Sequence, residues 1–315
     1  MEPVDPLADG LNDGPTLDLS EITPVSSMWR RSASASGQPD SSGGAASVPG
    51  VPEFVYEPPN TLAVRISGKI SFAHLPGVSG PVLEESRARA MQSLADRNTS
   101  LAARFKLHQS YLQSLPEDTK EFVTYAWPGH AELDASFERA MVLANMAHLR
   151  MKQGILLATR GDYKGGYDLL CEVAGMWAAA EERGFPEDRE QWVLNEETGE
   201  RLSREYTQYM AALALAIGQT ALYKRMMQQV SNSNKPPLQS YTFLGNLAVL
   251  THTRWQTVQH LASPCGPIVS PEARAYIAQM GDTFAAIHAM YSGAVVLHRE
   301  SEDIQESCGT ALGLY

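Results

Sequence analysis

Several protein classes are made improbable by what this sequence lacks. It contains only three cysteines, Cys171, Cys265 and Cys308, and none of them forms a CxxC pair. A sparse, odd count is typical of free thiols in a reducing compartment rather than of a disulfide framework. The most apolar run, residues 209–217, is far shorter than the roughly 20 residues that a membrane-spanning helix needs. Both observations favour a cytoplasmic protein without a membrane span.

Basic residues are also in short supply. The chain carries 25 Lys and Arg against 36 Asp and Glu, so its formal net charge is -11. Contacts with phosphate need clustered Lys and Arg, which argues against nucleic acid as the main partner. The N-terminus is acidic and has no apolar stretch, so we expect neither a secretory signal nor a mitochondrial transit peptide.

Catalytic motifs are the third absence. The sequence contains no HExxH, no Walker loop, no GxSxG and no dinucleotide-binding glycine pattern. Its eight histidines are scattered, and His252 and His260 lie too far apart on one helix to form a metal pair. His148 falls among apolar residues, which favours a hydrogen-bonded core histidine over a ligand. The sequence therefore predicts no metal, no cofactor and no catalytic residue.

The first segment of the chain has the composition of a disordered tail. Residues 1–55 are rich in Pro, Ser, Gly and Asp and poor in large apolar side chains. Such a segment cannot bury enough surface to offset its chain entropy. Residues 62–71 follow it and alternate apolar and polar side chains, which indicates a strand or a hairpin.

Helical periodicity dominates the rest of the sequence. Apolar residues recur every three or four positions and predict helices over 82–115 (one or two), 136–158, 167–183, 204–229, 238–262 and 271–299, with a last helix from about 301. Ser203 is suited to cap the fourth of these and Pro271 to open the sixth. Short breakers separate them, so we predict an all-α fold of antiparallel helix pairs. The tetratricopeptide signature is absent and the spacing is irregular, which argues against a regular solenoid.

The segment FERAMVLANM, residues 137–146, places two polar side chains in an otherwise apolar helix. Glu138 and Asn145 share one stripe with Val142 and Leu149. They lie about 10.5 Å apart along the axis, so they cannot bond to each other. Each is expected to find its own partner on a neighbouring helix or loop, because an unpaired buried polar group is costly. We interpret both as residues that fix helix packing rather than as a site.

FERAMVLAN resembles the hallmark of the Bro domain family. The matching residues are Phe137, Glu138, Val142, Leu143 and Asn145. The aromatic residues of FVTYAW, the small residues and Trp of EVAGMW, and the helix LALAIGQTALYKRM resemble further family segments in the same order. The family's sixth-helix Lys falls on Gly281, and the chain is shorter than a typical family domain. We therefore expect a Bro-like domain over 56–315 that is truncated at its C-terminal end.

This resemblance implies a fold and a function. The family fold is a banana-shaped helical domain with a tetratricopeptide-like core and a small N-terminal β element. It implies a non-enzymatic adaptor that binds the C-terminal amphipathic helix of an ESCRT-III subunit in endosomal sorting and the multivesicular body pathway. The protein would be cytoplasmic, would be recruited to endosomes and would associate peripherally with their membranes. Neither a nucleic acid nor a small-molecule substrate is implied.

The resemblance also implies where the partner binds. The three apolar positions of the family's binding patch fall on Leu222, Phe243 and Leu247, and a family Asp falls near Asp162. The periodicity of residues 238–262 agrees with a two-sided helix. One apolar stripe contains Leu244, Ala248, Trp255 and Val258, and a second, turned by about 100°, contains Phe243, Leu247 and Leu250. Both stripes could be buried, or the second could face a partner.

Two other functions remain open. A signalling scaffold, such as the ambient-pH signalling branch of the same family, would use the serines of residues 1–55. An enzyme that uses one of the cysteines is the weaker alternative. Partner dependence on residues 1–55 would distinguish the scaffold, and reactivity toward thiol-directed probes would distinguish the enzyme.

Overall fold

The structure is a computed structural model. It describes residues 51–56, 70–72, 80–96, 98–115, 123–127, 130–133, 135–184, 191–195, 200–232 and 238–311. Residues 1–50 of the predicted tail and most of the predicted strand over 62–71 therefore lie outside the described residues.

Helices make up most of the described chain, and short strands lie between them. The α-helices are α1 (Glu53–Tyr56), α2 (Gly80–Ala95), α3 (Leu101–Ser114), α4 (Ala135–Thr159), α5 (Tyr163–Gly184), α6 (Arg204–Ser231), α7 (Leu238–Ala262) and α8 (Pro271–Ala311). A 3-10 helix, Gly266–Ile268, precedes α8. The strands are β1 (Ile70–Phe72), β2 (Val123–Trp127), β3 (His130–Leu133), β4 (Gln191–Asn195) and β5 (Glu200–Ser203).

Each long helix packs against its neighbours in the chain, from α2 through α8. In α7 and α8 the paired positions run in opposite directions, which makes these two helices antiparallel. His252 Nδ1 of α7 lies 2.8 Å from the carbonyl oxygen of Gly281 in α8, and His288 Nδ1 lies 3.2 Å from that of Gly245. The predicted all-α fold of antiparallel helix pairs is confirmed for the helical core.

The strands form two small antiparallel sheets. The order of the first is β1-β2-β3, and β4 pairs with β5 in the second, with Trp192 opposite Leu202. The periodicity of the sequence predicted no strand between 183 and 204, whereas β4 and β5 both lie there. Residues 191–195 contain three consecutive apolar residues, Trp192, Val193 and Leu194, which favour a strand.

Helix boundaries follow the local capping chemistry. α7 has the predicted bounds, and Ser203 caps α6 by accepting a hydrogen bond from the Tyr206 N–H at 3.2 Å. α5 begins at Tyr163 rather than at the predicted Tyr167. The two helices predicted beyond Pro271 are one continuous helix. Ser301, near which we predicted the start of a last helix, does not interrupt it, because neither Gly nor Pro lies beside it.

Glu138 joins three helices through a buried ion pair. Its carboxylate accepts hydrogen bonds from Arg87 Nε at 2.7 Å, Arg87 Nη2 at 3.3 Å and the Tyr111 hydroxyl at 2.8 Å. Arg87 belongs to α2 and Tyr111 to α3, and all three side chains are buried. The predicted packing role of Glu138 is thereby confirmed, because its partners fix the register of α2, α3 and α4.

Asn145 and His148 depart from the prediction. Both are buried in α4, yet Asn145 Nδ2 and both ring nitrogens of His148 have no hydrogen-bond partner in the described part of the chain. The His148 ring instead meets Trp177 of α5 edge-on, with ring centroids 5.2 Å apart. His148 is thus a core residue as predicted, and its ring packs on Trp177 and also interacts with the backbone of Tyr56.

Candidate functional site

One side of α7 packs into the core. The predicted stripe of Leu244, Ala248, Trp255 and Val258 is completely buried. Trp255 Nε1 donates a hydrogen bond to Thr220 Oγ1 of α6 at 3.1 Å. Because these side chains already pack against the neighbouring helices, this stripe is closed to any partner.

The second stripe divides between core and surface. Phe243 is 49% exposed and Leu250 is 58% exposed, whereas Leu247 is only 7% exposed. At 100° per residue, Leu250 lies about 20° from Phe243 around the axis, and Leu247 lies about 40° from Phe243 toward the buried stripe. Leu247, which the resemblance assigned to the binding patch, is therefore buried rather than exposed. Phe243 and Leu250 are left as a pair of exposed anchors about 10.5 Å apart.

Leu222 lies on the adjacent helix α6, half-buried against the core. It follows Gly218 by one turn and so lies on the same face. A Cβ atom at Gly218 would lie 3.4 Å from Cδ2 of Tyr167 in α5, which shows how closely that ring covers α6 there. Leu222 therefore lies beside the place where the Tyr167 ring packs on α6.

Arg254 of α7 lies on the same side of the helix pair as the Tyr167 ring. It is exposed and follows Leu250 by one turn. A hydrogen bond with Cys171, the charge of that cysteine and burial raise the pKa of Tyr167, and the nearby positive charge of Arg254 opposes this rise. Arg254 is thus within electrostatic reach of Tyr167, whose ring packs on α6 beside Gly218. We call Leu222, Phe243, Leu250 and Arg254 the α6–α7 face.

The charge pattern of this region was missed by the motif search. No Asp or Glu occurs from Tyr206 to Pro271, although the chain has 36 of them in 315 residues. The same segment contains Lys224, Arg225, Lys235 and Arg254. Burial lowers the pKa of Lys224 to about 8, so its charge weakens in mildly alkaline solution. The α6–α7 hairpin is thus a positively charged segment of an acidic protein.

Asp162 has a local structural role at the turn between α4 and α5. Its Oδ1 accepts a hydrogen bond from the Gly165 N–H at 2.9 Å, which caps the first turn of α5. Gly161 precedes it with φ of +92°, a conformation that a side chain would strain. The cap explains why α5 begins at Tyr163. Asp162 is exposed, and its backbone N–H donates to the Leu157 carbonyl oxygen at 3.0 Å at the end of α4.

The described residues show little sign of a metal site, a reactive thiol or a membrane span. Within them, no three His, Cys, Asp or Glu side chains are grouped as metal ligands would be. Burial raises the pKa of the Cys265 thiol to about 12, and its Sγ donates to the Leu261 carbonyl oxygen, so this thiol is unsuited to nucleophilic attack. None of the described helices is both long and apolar enough to cross a bilayer.

Comparisons with protein-family models, curated proteins and solved structures found no match for this chain.

Proposed function

We propose that this chain is a non-enzymatic adaptor of the Bro domain family. Its α6–α7 face would bind the C-terminal amphipathic helix of an ESCRT-III subunit, and the protein would act in endosomal sorting. The elongated banana shape, the tetratricopeptide-like core and the N-terminal β element belong to the same proposal. The motifs that resemble the family carry it, and the surface of α7 supports it.

The supporting observation is the two-sided structure of α7. Phe243 and Leu250 stay exposed on a helix whose opposite stripe is fully buried. They are separated by two turns, the spacing at which an amphipathic helix presents its own apolar residues. Exposed apolar side chains grouped on one face mark interaction surfaces more often than isolated ones do. Leu247 lies between the two stripes and supports this face from below.

A binding assay with charged substitutions tests the proposal. The full chain is titrated into a fluorescently labelled C-terminal peptide of an ESCRT-III subunit, and anisotropy gives Kd. A carboxylate at either anchor would have to be buried in the complex, so Phe243→Asp and Leu250→Asp should each weaken binding at least tenfold. Leu247 is unsuitable as a test position, because its substitution would disturb the core.

Leu156→Asp supplies the matched control. Leu156 is also an exposed leucine, 41% exposed, but it lies on α4. The Leu156→Asp variant should bind the peptide with the affinity of the wild type. The assignment of this face would be overturned if Phe243→Asp and Leu250→Asp bound the peptide as tightly as the wild type and Leu156→Asp do, with unchanged circular dichroism.

A further inference from the structure

The N-terminal segment of the chain has the chemistry that complements the α6–α7 face. Residues 1–29 contain Glu2, Asp5, Asp9, Asp13, Asp18 and Glu21, and no Lys, Arg or His. Large apolar residues alternate with these acids, most densely around Leu17, Leu19 and Ile22. The α6–α7 hairpin has the opposite composition, because its exposed apolar residues lie in a segment without a single acid.

We infer that residues 1–29 bind to the α6–α7 face of their own chain and occlude it. Leu17, Leu19 and Ile22 would cover Phe243 and Leu250, and the neighbouring carboxylates would lie near Arg254 and the other basic residues of the hairpin. This intramolecular binding does not require an outside partner. That it would be autoinhibitory rests on the proposed function, because the same face would then be closed to the ESCRT-III helix.

The length of the chain permits this contact. Residues 30–50 separate the acidic segment from Val51, where the described chain begins. A spacer of that length reaches at most about 70 Å. The following helix α1 contacts α8, which packs directly against α7, and Val55 of α1 is buried. The tether therefore starts from a helix that contacts α8, and for a spacer of this length we take the effective concentration of the segment as about 1 mM.

Electrostatics favours this face over two other exposed apolar positions. Val82 on α2 is followed by Glu84 and Glu85, and Leu297 on α8 is followed by Glu300. An acidic segment would be repelled at both places. The hairpin itself supplies no acid around Phe243 and Leu250. Asp168 of α5 lies near Tyr167, but Arg254 acts on that residue more strongly, so the apolar and ionic contributions act in the same direction.

The experiment measures binding of the segment in trans. The full chain with Leu17→Ser, Leu19→Ser and Ile22→Ser, which frees the face, is titrated with a labelled synthetic peptide of residues 1–29. We expect a Kd of about 100 µM, weakened by added salt because the Debye length shortens. Phe243→Asp with Leu250→Asp in the same background should abolish binding, and Leu156→Asp should leave it unchanged.

A second measurement examines the intact chain. With an effective concentration of about 1 mM, the three serine substitutions should tighten binding of the ESCRT-III peptide about tenfold. Peptide 1–29 that binds through Phe243 and Leu250 supports the inference even if no ESCRT-III peptide binds, in which case only the proposed function fails.

Three outcomes would overturn the inference. The first is no binding of peptide 1–29 in trans, and the second is binding that ignores Phe243→Asp and Leu250→Asp. The third is a wild-type chain that sediments as a dimer through Phe243 regardless of the serine substitutions, which would assign the face to a second copy.

Discussion

The buried ion pair between Arg87 and Glu138 shows how one carboxylate organises three helices. Arg87 donates twice and Tyr111 once to Glu138, inside a region that excludes solvent. Two charges are desolvated together there, so their net contribution to stability is modest. Removal of one partner is strongly destabilising, because it leaves the other charge unpaired in the core.

Glu138→Ala should therefore lower the free energy of unfolding by about 3–5 kcal/mol. Urea denaturation followed by circular dichroism measures this. Glu85→Ala is the control, because Glu85 pairs with Arg89 in an exposed i,i+4 bridge and should contribute under about 0.5 kcal/mol. A loss below about 1 kcal/mol for Glu138→Ala would contradict the packing role.

His148 gives the core a dependence on pH. Burial, with a smaller contribution from the charge of Lys152, lowers its pKa from 6.5 to about 3, against a slight opposing effect of the Tyr56 backbone. The neutral ring is thus the form that the folded state accepts. Its stability contribution is complete above pH 6.5, the pKa in the unfolded chain, and is lost as the pH falls from 6.5 toward 3.

Measurement of the unfolding free energy between pH 7 and pH 4 tests this. His148→Gln should remove a contribution to the slope that approaches about 1.4 kcal/mol per pH unit in the wild type. His260→Gln, the same exchange at an exposed position of α7, is the matched control. Identical slopes for wild type and His148→Gln would show that His148 titrates normally.

Among the elements, α4 and α5 are set close together by glycine. A Cβ atom at Gly166 would lie 2.8 Å from the Gly154 carbonyl oxygen and 2.9 Å from Ala158 Cβ. Both contacts are with α4, and the first involves backbone, which cannot move aside as a flexible side chain can. Gly175, on the same helix, would meet nothing within 4 Å.

Two alanine substitutions on α5 should consequently have opposite signs. Gly166→Ala should destabilise the protein by about 1–3 kcal/mol through overpacking. Gly175→Ala should stabilise it by up to about 1 kcal/mol, because alanine favours a helix and space is available. Thermal unfolding of the two variants compares them directly, and a stabilising Gly166→Ala would mean that α4 and α5 are not packed this closely.

Periodicity predicted the helices well because each buries one continuous stripe. The limits of α7 follow from breakers on both sides, and its buried stripe follows from spacing alone. Other features depend on partners that a single segment cannot reveal. The β4–β5 pair needs two strands to meet, and the exposure of Leu247 depends on where α6 lies. Asp162 was assigned to the partner surface by resemblance, whereas its capping role required the geometry of the turn.

For the whole molecule, the distribution of charge is more informative than its total. The net charge of -11 argues against nucleic acid, yet it conceals a hairpin without any Asp or Glu between Tyr206 and Pro271. That hairpin carries the exposed pair Phe243 and Leu250. A face of this kind on an acidic protein is suited to bind an apolar segment that carries negative charge, whether from a partner or from its own N-terminal residues.

The most direct test of this account is the ratio of two dissociation constants. Phe243→Ala removes an exposed ring without adding charge, and the ESCRT-III C-terminal peptide is titrated into it and into the wild type by calorimetry. If Phe243 is a central anchor, the variant should bind about tenfold more weakly or worse. A ratio near one, with the fold intact and wild-type binding measurable, would contradict the claim that this face of α7 receives the partner.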